Sequence, residues 1–98
     1  MGDVELNKFN ALKLLWYIRK SKFIANDFIF ENIDQVIEFV NIVLNRAKEI
    51  NYIPDIVIHK RTHVRIELYN KEVGGFGSQE LDFAKDIENI YIEKYKHE

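Results

Sequence analysis

Three histidines, His59, His63 and His97, and a Lys71-Glu72 pair ahead of a glycine-rich turn are the residues of this 98-residue chain whose types invite chemistry. Histidine changes charge nearest to neutral pH and ligates metals, so the four-residue step from His59 to His63 first suggests proton transfer or metal binding. The residues between them, Lys60-Arg61-Thr62, read as a hairpin tip, and no Cys or carboxylate stands beside them at ligand spacing. Neither a metal nor a cofactor is therefore expected. His97 falls in the chain terminus, where side chains are normally solvated. Lys71-Glu72 has a plain reading as an exposed loop end, since surface ion pairs of this kind contribute little. Gly74-Gly75-Phe76-Gly77 precedes a helix start, a place where backbone amides attract anions. It lacks the Lys-Ser or Lys-Thr ending of a P-loop and the spacing of a dinucleotide fingerprint, so turn geometry explains these glycines better, with Phe76 plugging the core beneath them.

The elements that must position these groups are legible from periodicity. Leu6, Phe9, Leu12 and Leu15 support a short helix from about Val4 to Leu15. Trp16 to Lys20 and Phe23 to Phe30 are rich in aromatic and β-branched residues around a polar Lys20-Ser21-Lys22 turn, which predicts a hairpin. From Asn32, a good cap, Ile33, Val36, Ile37, Val40, Val43, Leu44, Ala47 and Ile50 recur at helical spacing. Ile56-Val57-Ile58 and the alternating Val64, Ile66, Leu68 form a second hairpin with one wet face. Ser78 then caps a helix carrying Leu81, Ala84, Ile87, Ile90 and Tyr91 to about Tyr95. The order α-β-β-α-β-β-α predicts an α+β fold, a four-stranded antiparallel sheet with helices packed on one face.

Composition narrows the function classes. A chain of this length buries one core, so residues 1–98 are read as a single domain. The absence of cysteine excludes disulfides and thiolate ligands and suits a reducing, cytoplasmic setting. The acidic start Met1-Gly2-Asp3-Val4-Glu5 predicts no signal peptide, and no apolar run is long enough to span a membrane. A net charge of −2 gives no electrostatic reason to expect nucleic acid. Arg19, Lys20, Lys22, Lys60 and Arg61 cluster at hairpin tips, which are polar in most domains. Tyr17, Phe23 and Tyr69 would serve single-strand stacking only if they face water.

Asn51-Tyr52-Ile53-Pro54-Asp55, two alternating strands, Lys71-Glu72-Val73-Gly74-Gly75 and a helix together resemble the pterin-4a-carbinolamine dehydratase family. The resemblance runs from about Leu6 to Tyr95 and includes Trp16, Phe28-Ile29-Phe30 and Ala47-Lys48-Glu49. It implies the same element order, a pterin ligand, and a dehydration of 4a-hydroxytetrahydropterin in tetrahydrobiopterin recycling. It also implies assembly as a homodimer or homotetramer, and a second role as a dimerisation or protein-binding partner. In the family three histidines surround the pterin. Tyr52, Ile53 and Lys71 stand at those places here. By position, the resemblance assigns catalysis to Tyr52, Lys71 and Glu72, and substrate contact to Glu49, Ile53, Pro54, Asp55 and Gly74. Lys71 would protonate the leaving hydroxyl if burial lowered its pKa, with Glu72 or Glu49 as base. Tyr52 would donate a hydrogen bond or stack on a ring, being a poor base at neutral pH. His63 is expected at the far end of its strand from the Gly-Gly loop. A working dehydratase and an inactive relative both fit this pattern.

Overall fold

The computed structural model describes residues 2–96. The order is α1 (Asp3–Asn10), β1 (Tyr17–Arg19), β2 (Phe23–Ile29), α2 (Ile33–Glu49), β3 (Asp55–His59), β4 (His63–Leu68) and α3 (Ser78–Lys94). The four strands form one antiparallel sheet in the order β1-β2-β4-β3, so the expected α+β architecture is borne out. Both hairpins turn on consecutive left-handed residues, Lys20-Ser21 and Lys60-Arg61, a geometry that matches the twist of paired strands. His97 lies outside the described residues.

One sheet face carries Ile24, Phe28, Val64, Ile66 and Leu68, all essentially inaccessible, and receives Val36, Phe39, Val43 and Ala47 of α2 with Leu81, Phe83, Ala84 and Ile87 of α3. Phe28, Phe30, Phe39, Tyr91 and Tyr95 pack with ring centres 5.0–6.1 Å apart, many of them edge to face. The strand register sets Tyr17, Asp27, Arg65, Glu67, His59 and His63 on the opposite face. There Arg65 bonds Asp27 at 3.0 Å, Tyr17 bonds Asp27 at 2.8 Å, and Arg19 pairs with Glu67.

The apolar periodicity of α2 resolves into two stripes. Val36, Phe39, Val43 and Ala47 face the sheet, whereas Ile33, Ile37 and Leu44 remain 44–53% exposed. Reading both stripes as one face missed Phe39. Asn32 caps the helix as expected, its side chain accepting from the amide of Gln35 at 3.0 Å.

Two boundaries differ from expectation. Helix α1 stops at Asn10, not Leu15, because the next segment is held in an irregular path by Glu88. That fully buried carboxylate of α3 accepts from the amides of Lys13 (2.7 Å) and Leu14 (3.0 Å) and from the Trp16 indole (3.1 Å). The cap of α3 is Gly77, not Ser78. The Glu80 carboxylate reaches back to the Gly77 amide at 2.8 Å, half of a capping box. Phe76 packs against the core and against Phe9, as a plug beneath the loop should.

Candidate functional site

Helix α2 ends in a hydrogen-bonded turn that aims Tyr52. Asn51 takes a left-handed φ of 56°, its amide donates to the Lys48 carbonyl at 3.2 Å, and the Tyr52 amide donates to the Ala47 carbonyl at 2.9 Å. These two bonds make a Schellman ending with Asn in the place usually taken by Gly. Tyr52 is thereby turned inward, where its ring meets the edge of Phe83 at 5.6 Å.

The Tyr52 hydroxyl makes two bonds to the backbone of Tyr69. It donates to the Tyr69 carbonyl at 2.9 Å and accepts from the Tyr69 amide at 2.8 Å. Burial pushes its pKa far above that of an ordinary phenol; the Tyr69 bond opposes the shift, and the nearby Glu80 carboxylate reinforces it. A hydroxyl held this way neither gives up nor receives a proton near neutrality. It stitches the Pro54 loop to the base of the Gly74 turn.

That turn closes between Asn70 and Gly75, where the Asn70 amide donates to the Gly75 carbonyl at 2.6 Å. Gly74 has φ +66° with open space where a Cβ would stand, so backbone conformation alone calls for glycine. Lys71, Glu72 and Val73 are exposed at its tip, and the Glu72 amide donates to the Asn70 side chain at 2.9 Å.

The remaining candidates are dispersed. Glu49 ends α2 and is exposed, Ile53 is 91% exposed, Pro54 is buried, and Asp55 opens β3 on the surface. A cleft of about 280 Å³ gathers Tyr52, Ile53 and Pro54 with Leu44, Ala47, Lys48 and Asn51. Lys71, Glu72 and Gly74 do not line it. His63 lies six residues before Tyr69, about 20 Å at the rise of a strand, so it does not replace a histidine near Tyr52.

A larger cleft of about 720 Å³ opens between α2 and α3, lined by Arg46, Ile50, Gln79, Asp82, Phe83 and Asp86. Its size is that of a small-molecule site, with Ile50 and Phe83 as the apolar part and charged groups around it. Arg46 pairs with Asp86 there at 3.4 Å. Sequence reasoning missed this set, because Arg46 and Ile50 at the end of one helix and Gln79, Asp82, Phe83 and Asp86 on another read separately as ordinary helix faces.

Among the described residues no group of three His, Cys, Asp or Glu could hold a metal ion. No helix among them is long and apolar enough to cross a membrane.

A crystal structure of a transcriptional coactivator/pterin dehydratase from Brucella melitensis superposes with a TM-score of 0.79 at 17% identity, covering 92% of this chain and 96% of that one. At that identity the likeness establishes the fold. No match is found among curated proteins. The family model for pterin 4 alpha carbinolamine dehydratase matches residues 3–90, spanning both hairpins, the Pro54 loop, the Gly74 turn and most of α3. The chain belongs to the pterin 4 alpha carbinolamine dehydratase family.

Proposed function

We propose that this protein is a family member that has kept the pterin-handling scaffold for binding and assembly without dehydratase turnover. The observation that carries this reading is the Tyr52 hydroxyl, whose one donor proton and one of its lone pairs are held by the Tyr69 backbone. Dehydration of a 4a-carbinolamine requires one group to protonate the departing hydroxyl and another to take the ring proton. Ile53 has no proton to exchange, and Lys71 and Glu72 stand exposed at the tip of the Gly74 turn, outside both clefts. A pterin would be held as a ligand in the larger cleft, its flat ring against the exposed Ile50, with Arg46 and the acidic rim for polar contacts.

Assembly is supported by α2. Ile33, Ile37, Val40 and Leu44 are spaced four, three and four residues apart, the seam of a helix pair, and the first, second and fourth are exposed. Strands β1 and β3 are sheet edges as well, which natural proteins cover or pair. A homodimer or homotetramer through the α2 seam buries this stripe, and the absence of cysteine suits a cytoplasmic setting.

The test is the rate of 4a-hydroxytetrahydropterin dehydration with purified protein, expected to equal the spontaneous background. Acceleration above background would restore the working dehydratase, with Lys71 and Glu72 as its first mutational targets. Light scattering at micromolar concentration is expected to give a dimer or tetramer that Ile37→Asp converts to folded monomers. A wild-type monomer removes the assembly role.

A further inference from the structure

The tip of the second hairpin holds a feature that the pterin site leaves unused. His59 and His63 are direct cross-strand partners, and their rings lie 5.2 Å apart, centre to centre, on the sheet face away from the helices. The loop between them is short and fixed by the left-handed pair Lys60-Arg61, so the separation of the two side chains is set by backbone. Two imidazoles sharing one ion at the usual metal–nitrogen distance of about 2.0–2.1 Å place their ring centres about 5 Å apart. The observed 5.2 Å falls within that reach.

One ring is hydrogen-bonded and the other carries an unpartnered nitrogen. The Thr62 hydroxyl lies 3.4 Å from the Lys60 carbonyl and 3.1 Å from His63 Nδ1. With the hydroxyl proton on the Lys60 carbonyl, His63 would donate from Nδ1 and keep its Nε2 lone pair for an ion, the arrangement common in metal-bound histidines. His59 Nε2 is shut off from solvent and has no hydrogen-bond partner among the described residues. A buried nitrogen in that state costs free energy until something engages it. Asp27, two positions along the same face, has its oxygens occupied by Tyr17 and Arg65.

We propose that His59 and His63 form a two-imidazole site for a borderline transition cation such as Zn²⁺, Ni²⁺ or Cu²⁺, with water completing the coordination. Imidazole suits these ions, while Mg²⁺ and Ca²⁺ demand oxygen ligands that the hairpin tip does not offer. The sequence did not expect this site, because a four-residue histidine step on a hairpin carries no ligand pattern until the strand register pairs the two rings.

Titration of the full chain with ZnCl₂ and NiCl₂, followed by isothermal calorimetry and melting temperature, is expected to show one ion per chain and a saturable rise that EDTA reverses. MgCl₂ is expected to do neither. His59→Ala and His63→Ala each weaken binding by about tenfold or more, while His97→Ala leaves it unchanged. Thr62→Val, which removes the acceptor for His63 Nδ1, weakens it by about tenfold without removing a ligand. Circular dichroism confirms that each variant is folded, and His63→Gln, closer in size, serves if His63→Ala is not. Absence of saturable binding, or binding that survives both histidine replacements, overturns the proposal.

Discussion

Helix α3 uses two buried glutamates to hold two loops, and it holds them unequally. Glu88 receives Lys13 N, Leu14 N, the Trp16 indole and Lys85 Nζ, at 2.7–3.3 Å. Glu80 receives the Gly77 amide at 2.8 Å and the Asn70 side chain only at 3.5 Å. Both side chains are fully inaccessible. A buried carboxylate is tolerable when donors surround it, so the Glu88 end of the molecule is the rigid one. The Glu80 end, beside Tyr52 and the Gly74 turn, rests on fewer bonds.

Replacing Glu88 tests this contrast hardest. Glu88→Ala strands three N–H donors around Trp16 and is expected to cost about 3–4 kcal/mol, read from chemical denaturation. Glu80→Ala is expected to cost about 1–2 kcal/mol by the same measurement, and equal losses would erase the distinction. Tyr52→Phe removes both bonds to Tyr69 and should cost about 1–2 kcal/mol while leaving pterin dehydration at background. A change in that rate would return Tyr52 to the chemistry.

Asp27 on the open face supplies the weak limit of the series. Burial works to raise its pKa, but hydrogen bonds from Tyr17 and Arg65 and the charge of Arg65 outweigh it and hold the carboxyl below its usual value. The stability this contributes is present above the unfolded carboxylate pKa near 4 and is lost as pH falls through the lower folded value. Asp27→Asn should therefore flatten the acid limb of stability below about pH 4 and change little at pH 7. An unchanged acid limb would show that the Tyr17–Asp27–Arg65 chain is not coupled to folding.

The element order could be read from sequence because it rests on local signals: alternation in β4, the Asn32 cap, the left-handed hairpin tips. What escaped depends on partners distant in the chain. Glu88 looks like any exposed helical charge until Lys13 and Leu14, 75 and 74 positions away, bring their amides to it. One clue was present, since a buried Trp such as Trp16 needs an acceptor for its N–H. Gly77 and Glu80 likewise stand at capping-box spacing. Tyr52 and Lys71 were matched to a site by position alone, and position does not reveal that Tyr69 has taken the phenol.

The grip of Glu88 on an irregular stretch has a kinetic counterpart. The amides of Lys13 and Leu14 belong to no helix or strand, yet their acceptor is the side chain of α3, so they come free only when that helix lets go. In deuterium labelling these two coil positions should lag with α3, apart from the neighbouring residues of their own loop.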